Sequence, residues 1–327
     1  MRVSVIIPTY RGGQKVLDCV QSVLEQTRLP DELIVVDSSD DDSPALIRER
    51  FGDQVHLVHL AERTLPGDAR NVGAREATGD VLAFLDDDCL ADPNWLAELS
   101  KPYEDPAVVW VAGVVWPYDN EHPVAKVDFW VAFSNLITRV NAQVVLTRAM
   151  FNLAYRREAY LALGGLPENS LNEDRLFNTD FERKHSAPTV ALNARVLHRN
   201  PTDFTRVRAR HRRAGHSFVF GRHVDPTLPG AAFLRNAWAL PTLPVVRFML
   251  FWYRMFSLLP GEAVRLLPYS VMIFRVFYSW YAGVREAMQE AEGFDWRAQD
   301  WGTHDGGGKR EEPSSSAAGQ GAGREEG

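Results

Sequence analysis

The sequence predicts an α/β protein built on a mostly parallel sheet, and three observations carry that expectation. The stretch VLAFLDDDC at 81–89 is an apolar strand that runs straight into three carboxylates, Asp86, Asp87 and Asp88. A second apolar strand, LIVVD at 33–37, also ends in an acid. The opening VSVIIP is followed by an apolar set at helical spacing, so the chain starts as a βαβ unit. Strands that are apolar on both faces belong to parallel sheets covered by helices, and such sheets bind polar ligands beyond their C-terminal ends.

The elements follow in order. Strand Val3–Ile7 stops at Pro8, and Val16, Leu17, Val20, Val23 and Leu24 mark a helix. Strand Leu33–Val36 comes next, then a strand over Val55–Leu60, a turn at Pro66-Gly67 and a short helix over Ala69–Ala77. Gly79-Asp80 releases the strand Val81–Leu85. Asp92 and Pro93 can open a helix whose apolar face holds Trp95, Leu96 and Leu99. VVWVAGVVW at 108–116 reads as a strand or strand pair, and 127–136 as a helix or an active-site flap. NLAYR at 152–156 enters a helix that Gly164-Gly165 ends. NEDRLF at 172–177 starts another helix, and Thr189–Leu197 is a late strand ending at His198.

Length and composition bound the function. With 327 residues and 45% hydrophobic content, the chain holds one large domain plus an appendage and is not disordered or fibrous for most of its length. A net charge of −7 gives no support to a dedicated nucleic-acid binder. Seven arginines nevertheless lie between Arg199 and Arg222, with His211 and His216 beside them and only Asp203 opposing. Two cysteines, Cys19 and Cys89, exclude a disulfide framework or a thiolate cluster. The chain opens on a strand with no basic leader or long apolar signal, which predicts a cytosolic catalytic domain.

The expected organisation is a catalytic domain over 1–230, an apolar helical region over 231–301 and a disordered tail over 302–327 rich in Gly, Ser and charge. The region 237–290 alternates apolar blocks with single arginines and has no uninterrupted run of spanning length. Helices lying in a membrane interface fit this pattern. A helical hairpin packed on the catalytic domain, or on a second copy in a homodimer, fits it as well.

Three adjacent carboxylates repel one another unless water, a basic partner or a metal stabilises them. At a strand end, Asp88 helped by Asp86 suits Mg²⁺ or Mn²⁺, which neutralises a diphosphate on its far side. Negative charge developing on a departing nucleoside diphosphate is then stabilised where it appears. A solvated turn is the plainer reading of the same three acids.

The ordered set VSVIIPTYRG (3–12), LIVVDSSDDD (33–42), ARNVG (69–73), ATGDVLAFLDDD (77–88), GGLPE (164–168), NED (172–174) and a strand ending in His198 resembles the family 2 glycosyltransferases. The resemblance covers about the first 200 residues. It implies the GT-A nucleotide-diphospho-sugar transferase fold, with a mostly parallel central sheet, and adds the C-terminal amphipathic helices as an appendage. It also implies a metal-dependent, inverting sugar transfer from a nucleotide sugar. Pro8, Thr9 and Tyr10 would then form the loop beneath the nucleotide, with Asp37 at its base or ribose, and Arg70 and Asp87 near the nucleotide or diphosphate. Ser38 stands where many members carry a second acid or Asn. Asp174 matches the catalytic base, taking the acceptor's proton opposite the leaving group, and Glu173 supports it; a helix-dipole contact is the simpler role for that pair. His198 would complete the metal site with Asp86 and Asp88, either as a neutral ligand of Mn²⁺ or as a cation facing phosphate. Trp116 and Trp130 line a sugar subsite or pack in the core.

Arg199, Arg206, Arg210 and Arg213 form a patch suited to a phosphate-bearing acceptor or an anionic surface. Its place between the motif region and the apolar region favours a lipid-linked acceptor or growing glycan at the inner face of a cell membrane. A polyprenyl phosphate is a narrower version of that acceptor. A nucleotidyltransferase and a nonenzymatic sugar-nucleotide-binding scaffold are the alternatives from other classes.

Overall fold

The computed structural model describes residues 1–168, 173–224, 227–228, 230–236 and 238–290. The tail expected at 302–327, the end of the 231–301 region and Asn172 of the NED motif lie outside the described residues.

The chain runs β1 (Val3–Thr9), α1 (Gln14–Leu24), β2 (Glu32–Asp37), α2 (Ser43–Phe51), β3 (His56–His59), α3 (Pro66–Glu76), β4 (Val81–Phe84), β5 (Cys89–Ala91) and α4 (Trp95–Ser100). It continues with β6 (Trp110–Pro117), α5 (Pro123–Phe133), the hairpin β7 (Ile137–Val140) and β8 (Gln143–Leu146), β9 (Leu153–Arg156), α6 (Arg157–Ala162), α7 (Glu173–His185) and β10 (Thr189–His198). Helices α8 (Phe204–Val224), α9 (Ala231–Arg235), α10 (Leu243–Leu258), α11 (Pro260–Leu266) and α12 (Ser270–Glu290) complete it.

Eight strands form one sheet in the order β3-β2-β1-β4-β9-β6-β10-β5. The pairs β1/β2, β1/β4, β2/β3 and β6/β10 are parallel, while β9 runs antiparallel to β4 and β6, and β5 antiparallel to β10. Period-2 alternation sorts the core: Val5, Ile7, Val35 and Ala83 face one side with α1 and α4, and Ile6, Ile34, Leu82 and Phe84 face the other with Tyr155 and Tyr160. Register places Thr9 beside Asp37, so the ends of β1 and β2 open at one level.

Three local expectations shift. The helix expected from Ala69 starts at Pro66, whose fixed φ suits a first turn. The ambiguous stretch 127–136 is helix α5 and a following 3₁₀ turn, Ser134–Leu136. The hairpin after it was not legible. Its two-residue turn sets both Asn141 (φ 47°) and Ala142 (φ 64°) in the left-handed region, and Ala stands where glycine would have signalled it.

The C-terminal helices are both packed and exposed. Phe251, Met255, Ile273 and Phe277 share a continuous apolar core with Val127, Phe129 and Val207. On their other side, Met249, Tyr253, Val271 and Tyr278 stand open to solvent. Among the described residues no helix is long and apolar enough to cross a membrane.

Candidate active site

The turn between β4 and β5 carries Asp86, Asp87 and Asp88, and each acid meets a different partner. Backbone bonds from Cys89 N to Asp86 O (3.0 Å) and from Arg199 N to Asp88 O (2.8 Å) pin the turn to the end of β10. Asp86 Oδ1 accepts from Arg70 Nη2 at 2.6 Å. Asp87 Oδ2 accepts from the Thr9 hydroxyl at 2.6 Å; burial first, then neighbouring Asp88, push its carboxyl up to about 7 against that bond. Asp88 Oδ1 lies 3.6 Å from His198 Nε2.

Asp88, Cys89 and His198 bring one ligand atom each within 4.8 Å of one another. Burial, then the charges of Asp88 and Asp86, hold the Cys89 thiol well above its ordinary range, so it stays protonated. A protonated thiol is a poor ligand for a hard ion. A carboxylate oxygen and an imidazole nitrogen fit Mn²⁺. Asp86, turned to Arg70, stands outside that set.

Arg70 links the acidic turn to α7. It is buried on α3, and besides Asp86 it reaches Glu173 Oε1 at 3.5 Å. One guanidinium therefore ties the acidic turn to the start of α7, where Asp174 sits. Its Nε is buried without a hydrogen-bond partner among the described residues. Gly67 makes this approach possible, because a Cβ there would overlap Glu173 Cγ. Burial, then the charge of Asp174, push the Glu173 carboxyl up to about 7. Burial also raises Asp174, whose Oδ1 accepts from Arg175 N at 2.6 Å.

Two cavities adjoin the turn. One of about 260 Å³ is lined by Pro8, Thr9, Tyr10, Arg63, Leu65 and Asp87, with the Arg63 guanidinium 4.7 Å from the Tyr10 ring centre. The other, about 580 Å³, is lined by Asp88, Lys15, Tyr118, Arg199, Asn200, Arg206, Arg210 and Arg213 among others. Arg206, Arg210 and Arg213 form one stripe of α8. Arg199 is held by Asp18 (2.7 Å) and lies over Tyr118, and Arg210 is held by Asp128 (2.6 Å).

Asp37 differs from the direct contact expected of it. It is fully buried and accepts from Ser39 Oγ (2.5 Å), Ser39 N (3.2 Å) and His59 Nδ1 (2.7 Å). Trp130 is core, whereas Trp116 is exposed beside β10. Lys15, Arg63, Asn200 and Asp128 escaped sequence reading; no motif marks them, and only the fold brings them to the site.

A sheet with acid-ended parallel strands, a cavity beside their ends and a carboxylate turn tied through Arg70 to a second acidic pair fits a GT-A type architecture. The family described as Glycosyl transferase family 2 matches residues 4–164. The chain thus carries a family 2 glycosyltransferase domain. It is 30% identical over 179 residues to a glucosyl-dolichyl phosphate glucuronosyltransferase of Haloferax volcanii, covering 52% of this chain and 57% of that protein. It is 28% identical over 187 residues to the O-antigen chain rhamnosyltransferase RfbN of Salmonella typhimurium, covering 54% and 59%. These matches span less than two thirds of either relative. Among solved structures, a mannosyltransferase from Pyrobaculum calidifontis in complex with GDP-Man and Mn²⁺ aligns with TM-score 0.55 and 22% identity over 90% of this chain and 88% of that one.

Proposed function

We propose that this protein is an inverting, metal-dependent glycosyltransferase that moves a sugar from a nucleotide sugar to a hydroxyl on a lipid-linked acceptor or growing glycan. The observation that supports the reading is the Asp86–Arg70–Glu173 bridge, which ties the acidic turn to the start of α7, beside Asp174. The names of the relatives support the reaction class and membrane-linked acceptors.

Tyr10 and Arg63 flank the nucleotide ring in the smaller cavity, and Pro8 holds the loop rigid beneath it. Asp88 and His198 would hold Mn²⁺ or Mg²⁺, which would supply positive charge to offset that of a departing nucleoside diphosphate. Arg70 holds Asp86 and Glu173 in place beside the diphosphate. Asp174, raised by burial, takes the acceptor's hydroxyl proton from the face opposite the leaving group. Nucleophile and leaving group on opposite faces give inversion.

The larger cavity supports a phosphate-bearing acceptor, since Lys15, Arg206 and Arg213 line it beside Asp88. The exposed apolar face of α10 and α12 supports work at a membrane surface.

The test is a screen of nucleotide sugars with Mn²⁺ and isolated membrane lipids, read by nucleoside diphosphate release. Asp174→Asn should lower kcat by about 10²–10⁴-fold with donor Kd little changed. Asp88→Asn should also weaken donor binding and flatten the Mn²⁺ dependence. Equal turnover by Asp174→Asn overturns the base assignment, and release of inorganic diphosphate overturns sugar transfer itself.

A further inference from the structure

We propose that the buried carboxylate of Asp128 is a positioning residue that fixes, through Asn200, which nitrogen of His198 faces Asp88. The inference rests on the reading of Asp88 and His198 as cation ligands.

Asp128 lies on α5 with no exposed surface. Three donors meet it: Asn200 Nδ2 at 2.8 Å on Oδ2, Arg210 Nη2 at 2.6 Å on the same oxygen, and His211 Nε2 at 2.9 Å on Oδ1. A carboxylate only accepts hydrogen bonds, so Asn200 must present its amide nitrogen to Asp128. Turning that amide over would set two oxygens against each other.

The orientation of Asn200 decides the next link. Its Oδ1 lies 2.9 Å from His198 Nδ1, and a carbonyl oxygen only accepts. The proton of the neutral ring therefore sits on Nδ1, and the lone pair sits on Nε2, the nitrogen 3.6 Å from Asp88 Oδ1. Phe133 and Phe151 hold the ring from two sides, each with its centroid 4.9 Å away.

A purely structural tie between α5 and α8 would need only Arg210 and His211. The bond to Asn200 adds nothing to that tie and connects it to the site. Because Arg210 also lines the larger cavity, one buried acid orients both the cation ligand and part of the basic wall. Partners that orient a metal-binding histidine typically change metal affinity 10–100-fold when removed.

Two measurements on the full chain test this. Long-range ¹H–¹⁵N spectra of histidine-labelled, metal-free protein should show His198 protonated on Nδ1; protonation on Nε2 instead overturns the proposal without any variant. Electron paramagnetic resonance of free Mn²⁺, titrated with Mn²⁺ alone, should show Asn200→Ala binding about 10–100-fold more weakly than the parent, at a thermal midpoint close to the parent's. If the parent itself fails to bind Mn²⁺, the cation-site reading falls and the proposal with it. If the parent binds and Asn200→Ala binds equally tightly, the positioning role falls while the cation site stands.

Discussion

At the scale of single residues, Arg70 shows how a buried cation organises acids that would otherwise repel. It faces Asp86 and Glu173, yet Glu173 remains raised to about 7 because burial outweighs the ion pair. A raised acid favours its protonated form in the folded state, so its contribution to stability is complete below about pH 4.5 and is lost as pH climbs through 7. The slope in that window is at most about 1.4 kcal/mol per pH unit. Glu173→Gln removes the titration. Thermal melts of the metal-free chain should therefore show the variant gaining on the parent from about pH 5 to about pH 8; a constant difference across that range overturns the assignment. The acids themselves were legible in the sequence, since three carboxylates at the end of an apolar strand demand partners. The partners were not, because Asn200 reaches Asp128 across 72 residues and Arg70 reaches Glu173 across 103. Local pattern carries no signal at such separations.

At the scale of elements, most strands and helices of the first 200 residues were readable from period and punctuation, but α2, β5 and the β7/β8 hairpin were not, and neither was the docking of α12 on α8. Its cause is two glycines. A Cβ on Gly215 would fall on the carbonyl oxygen of Trp280, and a Cβ on Gly283 on that of Arg212. Both obstacles are backbone, so no rotamer change relieves them. Ion pairs from Arg212 to Glu286 and a bond from Arg208 Nε to Ser279 Oγ (3.0 Å) then flank the contact. Gly215→Ala should lower stability by about 3 kcal/mol, at the upper end of overpacking costs, measured as a shift of the urea midpoint. Gly261→Ala is the control, because nothing lies within 4 Å of its Cβ position; equal midpoints for the two variants would show that the close approach costs nothing.

At the scale of the whole molecule, a net charge of −7 conceals a basic end. Helix α8 holds six arginines and no acid, and residues 238–290 hold five arginines against three glutamates. Exposed apolar side chains lie on two helices of that region. Val245, Met249, Tyr253 and Phe256 make one stripe of α10, and Val271, Phe274 and Tyr278 make one of α12. Inner faces of the same helices are spent on the core, so these stripes are a second, outward-facing set. An anionic lipid surface satisfies both features at once, giving about 1 kcal/mol per arginine near the headgroups and about 25 cal/mol for each Å² of apolar surface covered. The chain should therefore sediment with vesicles containing phosphatidylglycerol, and less so at high salt. Replacing Met249, Tyr253 and Val271 together by Asp should reduce partitioning at least about tenfold while leaving Mn²⁺ binding at Asp88 and His198 intact. Parent protein that ignores vesicles but forms a concentration-dependent dimer lost in the triple variant would assign this face to a second copy of the chain instead.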